Sequence, residues 1–151
     1  MDNITPTQAP SKAFNLASMT ILATGVITYC IGLFNASMQL NEKGYYLVIL
    51  LYGLFSAVSL QKSIRDKQDR LKTSDIYHAL SLISTGSAIL FLLIGLYNAD
   101  LLLSEKGFYG LAYLMSLYAA VAVQKNIRDQ AASLHSQPTE EPLACAQQEA
   151  D

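Results

Sequence analysis

The sequence predicts an all-α membrane fold, four transmembrane helices formed by two tandem helical hairpins in parallel repeat, and three observations predict it. The stretch from Gly32 to Asp66 recurs 63 residues later, from Gly95 to Asp129, with 18 of the 35 positions identical. Hydrophobic residues make up 52% of the 151 and charged residues only 15%, too apolar a balance for an ordinary soluble domain. The charges are also segregated, with no Asp, Glu, Lys or Arg in 13–41, 44–61, 76–99 or 107–124. At about 1.5 Å per residue, 18 to 25 helical residues cover roughly 27 to 37 Å, which crosses a hydrocarbon core of about 30 Å with some tilt.

Taken in order, residues 1–12 carry Pro6 and Pro10 among small polar residues and are expected to be a disordered end. The first two-helix membrane repeat covers 13–66, with helices expected at 14–34 and 44–66. A short charged linker, 67–75, follows, in which Thr73, Ser74 or Asp75 can cap the next helix. The second repeat covers 76–130, with helices at 76–97 and 105–130. The tail, 131–151, is rich in Gln, Glu and Pro and is expected to be disordered. Each repeat has an even number of spans, so both share one orientation, as in parallel repeats related by an axis along the membrane normal.

A soluble four-helix bundle is the competing architecture, and it needs a polar face on every helix. Leu47-Val48-Ile49-Leu50-Leu51 and Ile89-Leu90-Phe91-Leu92-Leu93-Ile94 are apolar all round, which favours the membrane. The amino end lacks the basic region of a cleavable signal, so the first span is expected to stay as an anchor. Lys12, the five bases between the second and third spans, Lys62, Arg65, Lys67, Arg70 and Lys72, and Lys125 with Arg128 lie at one set of helix ends, while the two short tips carry only Lys43 and Lys106. By the positive-inside rule both termini are cytoplasmic and the tips lie outside. Cys30, within a span, and Cys145, in the tail, are not placed to pair.

The tips carry the most specific motif. Asn35-Ala36 precedes Glu42-Lys43-Gly44-Tyr45-Tyr46, and Asn98-Ala99 precedes Glu105-Lys106-Gly107-Phe108-Tyr109. Asn35 and Asn98 stand where a helix should end, and Asn tolerates the left-handed conformation that closes one. Asn41 and Ser104, each before a Glu, have the composition of an N-cap with an acid in the positive first turn. Capping explains these residues. The sharper reading makes Asn35, Glu42, Lys43, Asn98, Glu105 and Lys106 an outer interaction site for an ion, a lipid headgroup or a partner. Met38, Leu40 and Leu101-Leu102-Leu103 make the tips unusually apolar, suited to the interfacial layer or to a lid across the hairpins. Phe34, Tyr45, Tyr46, Tyr97, Phe108 and Tyr109 form an aromatic belt at that level.

At the opposite ends, Gln61-Lys62-Ser63-Ile64-Arg65-Asp66 matches Gln124-Lys125-Asn126-Ile127-Arg128-Asp129. Lys62, Arg65, Lys125 and Arg128 are candidate lipid-anchoring residues, placed to snorkel toward phosphates, and Lys62–Asp66 and Lys125–Asp129 are spaced for weak pairs. Gly53 and Ala57 recur as small residues at Ser116 and Ala120, with Ala112 extending the second run, a spacing that lets the second and fourth helices approach one another or a second protomer closely. No acidic or basic residue interrupts the spans, and His78 reads as an interfacial residue. Neither a metal-ligand cluster, a phosphate loop nor a nucleophile elbow is legible, which argues against an enzyme and against a cofactor.

In its twice-repeated tip and basic-end motifs, over roughly 14–130, the chain resembles the YiaA/YiaB two-helix domain family of bacterial inner-membrane proteins, most closely the YiaA type with two tandem copies. The resemblance implies a multi-pass protein of the inner membrane and implies no activity. The family often carries Trp where this chain has Phe34 and Tyr97. The expected function is that of a non-enzymatic accessory or structural membrane protein, with the lipid bilayer and either a second copy or another membrane protein as partners, and no nucleic acid. The alternative is a small transporter or channel assembled as an oligomer.

Overall fold

The computed structural model describes residues 11–69 and 74–135. They form α1 (Lys12–Asn35), α2 (Leu40–Gln68), α3 (Asp75–Asn98) and α4 (Leu103–His135), with no strand among the described residues. The expected disordered ends, Arg70, Lys72, Thr73 and Cys145 lie mostly or wholly outside those residues, although α4 continues through His135, into the segment expected to be tail. All four helices are long and apolar enough to cross a membrane, and only 22 to 44% of each apolar window is buried within the chain. Leu16, Ile27, Leu51, Phe55, Leu82, Leu111 and Tyr118 point away from the protein, the outward apolar surface a helix needs in lipid. The chain is a multi-pass membrane protein.

The helices joined by a tip do not pack chiefly on each other. The outer helix α1 packs on α4 and the outer helix α3 on α2, while α2 meets α4 in the centre and the pairs α1–α2 and α3–α4 touch sparsely. A twofold axis parallel to the helices, relating one repeat to the other, produces this pattern. The repeats are hairpins in connectivity and an interlocked unit in packing. Glycine notches are the local cause. A Cβ on Gly25 of α1 would sit 2.6 Å from Ser116 Oγ of α4, and one on Gly32, two turns along the same face, 2.7 Å from the Phe108 ring. Each notch seats a side chain of the other repeat.

The expected close approach of α2 and α4 is present at Gly53, which lies against Tyr113 and Leu117 of α4. Ser116, its counterpart, turns instead to Gly25 of α1. The core between the repeats holds Tyr29, Leu33, Tyr46, Leu50, Leu92, Tyr109 and Tyr113. Tyr29 of α1 donates its hydroxyl to the Tyr46 carbonyl of α2 at 3.1 Å and sets its ring edge-on to Tyr109 of α4, centroids 5.5 Å apart.

Candidate functional site at the paired tips

Each tip closes its own helix ends. Asn35 ends α1, but Ala36 follows with an extended backbone (φ −66°, ψ 145°). The expected left-handed closure is absent, because the Asn35 amide bonds back to the Ile31 carbonyl at 2.8 Å and the Ala36 N–H donates to Gly32 O at 3.0 Å. The second tip repeats this, with Asn98 donating to Ile94 O at 2.8 Å and Ala99 to Gly95 O at 3.0 Å. The inner helices begin earlier than Asn41 and Ser104 suggested. Gln39 is the cap of α2, and its N–H donates to Glu42 Oε2 at 2.9 Å; the Leu102 N–H donates to Glu105 Oε2 at 2.9 Å. An acid three residues on can satisfy the cap's backbone donor, so the cap lies three residues before the Glu rather than one.

Lys43 Nζ donates to the Phe34 carbonyl at 2.9 Å and Lys106 Nζ to the Tyr97 carbonyl at 3.3 Å. Each lysine thus places a positive charge on the negative carboxyl end of the preceding helix. Within one tip the Glu closes the inner helix and the Lys closes the outer one.

The aromatic pair of each motif reaches across to the other repeat. Phe108 and Tyr109 cover Gly32, and Tyr45 and Tyr46 cover Gly95. The Tyr45 hydroxyl adds a 2.8 Å bond to the Phe91 carbonyl of α3, which Phe108 has no hydroxyl to copy. Tyr46 and Tyr109 are only 4% exposed and belong to the core, not to the expected belt, whereas Phe34 and Tyr97 face outward. Met38 and Leu101 tuck against the core, while Leu40, Leu102 and Leu103 project from it.

Between the tips lies a cleft of about 610 Å³, bordered by Ser37, Asn41, Glu42, Asn98, Asp100 and Glu105 and floored by Tyr45 and Tyr46. A second cavity, about 330 Å³, is lined by Gly32, Asn35, Ala36, Ser104, Glu105, Phe108 and Tyr109. Every one of those residues is the repeat counterpart of a residue lining the larger cleft. The larger cleft therefore gathers Glu42, Asn98 and Glu105, the smaller one Asn35 and Glu105, and neither is lined by Lys43 or Lys106. Among the described residues, no group of three His, Cys, Asp or Glu side chains is placed to hold a metal ion.

At the opposite end Lys62, Arg65, Lys125 and Arg128 come together around one small cleft with Gln61 and Gln124. The expected pairs of Lys62 with Asp66 and Lys125 with Asp129 do not form. Arg65 reaches Asp129 of the other repeat at 3.4 Å and Arg128 reaches Asp69 at 3.3 Å, because the guanidinium spans between α2 and α4 where the lysines point outward. Nearby, two polar contacts cross the helix pairs. Asn126 donates to Ser18 Oγ at 3.0 Å between α4 and α1, and Ser63 meets His78 Nδ1 at 2.8 Å between α2 and α3. Sequence reasoning passed over Ser18, Ser63 and Asn126. The signal lay in extending the repeat backward, where Ser18 has Ser81 as its counterpart.

The yiaA/B two helix domain model matches the chain twice, over residues 14–66 and 77–129. The chain is 54% identical over 129 residues to the inner membrane protein YiaA of Escherichia coli (strain K12), covering 85% of this chain and 88% of that one. It is 38% identical over 61 residues to the uncharacterized membrane protein YubF of Bacillus subtilis (strain 168), covering 36% of this chain and 70% of that one. No solved structure matches it. With both repeats matched and a relative aligned over most of both lengths, the chain belongs to the YiaA/YiaB two-helix domain family.

Proposed function

We propose that this is a non-enzymatic accessory or structural protein of the inner membrane, acting through helix packing and the outward surface of its two tips. The observation that carries the reading is a division within the repeated tip motif. Glu42, Lys43 and Tyr46, with their counterparts, are engaged inside the chain. Leu40 and Leu103 are 85% and 86% exposed, and a Cβ on Gly44 or Gly107 would meet nothing within 4 Å. A leucine and a glycine one turn apart make a knob beside a flat approach for a neighbouring helix, offered once at each tip. The similarity to the inner membrane protein of Escherichia coli supports the inner-membrane placement, and the excess of Lys and Arg at the other helix ends supports cytoplasmic termini with the tips outside.

The test is in-cell photo-cross-linking from Leu40 and Leu103. A discrete protein adduct, either a second copy or one repeatable partner, is expected, and Gly44→Leu with Gly107→Leu should abolish it at unchanged protein level. Adducts to lipid alone would refute the reading. A reporter active only outside the cytoplasm, fused after Asp151, is expected to stay silent.

One observation favours the oligomeric transporter or channel as a second reading: the 610 Å³ cleft is bordered by the carboxylates of Glu42, Asp100 and Glu105 and suits the outer mouth of a cation path. In a single chain Tyr46, Tyr109, Tyr29 and Tyr113 fill the core between the repeats. Solute flux in liposomes that disappears with Glu42→Ala and Glu105→Ala, with protein level held, would favour this reading over the first.

A further inference from the structure

We infer that the basic end holds a specific site for one anionic glycerophospholipid, headgroup at the Gln61–Gln124 cleft and acyl chain in the groove between α2 and α4. The cleft is lined by Gln61, Lys62 and Arg65 and their exact counterparts in the second repeat, and its volume, about 10 Å³, admits a single hydroxyl or oxygen. The arginines already have carboxylate partners in Asp69 and Asp129. Lys62 and Lys125 form no ion pair among the described residues and are exposed at the rim. Below them the side-chain oxygens of Gln61 and Gln124 are buried with no hydrogen-bond partner, a costly arrangement in a low-dielectric setting.

Gln61 also lines a second cavity, about 370 Å³, whose other walls include Ala57, Leu60, Ile64, Leu117 and Val121 and are almost wholly apolar. A cationic rim, unpartnered acceptors and an apolar groove thus share one residue. The molecule complementary to all three has a phosphate for Lys62 and Lys125, a headgroup hydroxyl for the glutamine oxygens and a hydrocarbon chain for the groove. Basic pockets between helices at a membrane surface recognise headgroups in this way. Phosphatidylglycerol has all three parts. A free glycerol phosphate lacks the chain, and phosphatidylcholine lacks both the net charge and the hydroxyl.

Native mass spectrometry of the full-length protein, released from detergent and titrated with phosphatidylglycerol or with phosphatidylcholine of identical chains, tests the site. Saturable binding of phosphatidylglycerol is expected, at least tenfold tighter than phosphatidylcholine. Lys62→Gln with Lys125→Gln should weaken it roughly thirtyfold, from two lysine–phosphate attractions, and leave phosphatidylcholine unchanged. Lys62→Arg with Lys125→Arg, which keeps the charge, should retain the preference. On the unaltered protein, excess soluble glycerol phosphate should leave the bound lipid in place. The proposal fails if the unaltered protein does not distinguish the two lipids, if the glutamine variant keeps the full preference, or if glycerol phosphate displaces the lipid.

Discussion

Tyr46 and Tyr109, the same residue of the motif in the two repeats, stack on one another with ring centroids 6.2 Å apart and 20° between their planes. Each also covers the glycine that closes the other repeat's outer helix, Tyr46 at Gly95 and Tyr109 at Gly32. The likeness of the two tip motifs thus has a packing cause: each aromatic pair must fit a notch in the other copy, so the two sets of residues are matched to each other.

The stacked pair makes a measurable prediction. Tyr46→Ala and Tyr109→Ala should each destabilise the protein by about 3 to 5 kcal/mol, as truncation of a buried aromatic does. A double-mutant cycle should return a coupling of about 0.5 to 1.5 kcal/mol, read by reversible unfolding in mixed detergent micelles. Strictly additive losses would mean that the rings do not interact.

Glycines separate notch from open surface. Gly32→Ala, Gly95→Ala and Gly53→Ala should each cost about 1 to 3 kcal/mol, because the added methyl meets an aromatic ring or the Tyr113 hydroxyl in a packed core. Gly86→Ala, with nothing within 4 Å, should be neutral or stabilising by up to about 1 kcal/mol through helix propensity. Thermal unfolding of the four variants under one detergent condition checks the ranking, and equal losses at all four would remove the notch account.

The helices, their number and their apolar surfaces were legible because each signal is local: a charge-free run has a length, and that length matches a bilayer. The tip residues were legible as caps for the same reason, although the cap lies three residues before Glu42 and Glu105 and Asn35 closes its helix by a bond to Ile31 rather than by a left-handed turn. What was not legible depends on which helices are neighbours. Arg65 with Asp129, Asn126 with Ser18 and Tyr109 with Gly32 all join residues more than 60 positions apart, and an i to i+4 rule proposes only partners on the same helix, such as Lys62 with Asp66.

The buried polar contacts should be worth less than their burial suggests. Ser18→Ala removes the partner of Asn126, which is 2% exposed, and Ser63→Ala removes that of His78. Polar contacts between membrane helices average about 0.6 kcal/mol and reach roughly 1.7, so losses in that range are expected from unfolding titrations. Asn126→Ala paired with Ser18→Ala should cost less than the sum of the single changes, and a larger loss would point to a further partner for one of them.

The tip caps act separately, one per repeat. Glu42→Ala and Glu105→Ala should each cost about 1 kcal/mol, as loss of a helix-start partner does, and the double variant about the sum. Equilibrium unfolding of the three variants gives the test, and an effect confined to one tip would break the equivalence that the matched bonds of Gln39 and Leu102 imply.

Interlocked packing makes a prediction that two self-contained hairpins would not. The main helix contacts, α1 on α4, α2 on α3 and α2 on α4, all run between repeats, and those within a repeat are sparse. Cutting the chain in the linker between Gln68 and Ser74 breaks none of them and leaves the Tyr46–Tyr109 stack and the Arg65–Asp129 pair to hold the halves together. The two halves, expressed from separate genes with a tag on one, should therefore co-purify in mild detergent. Gly32→Leu with Gly95→Leu, which fills both notches, should release the untagged half. Halves that part readily without those substitutions would show that each hairpin is held by its own two helices.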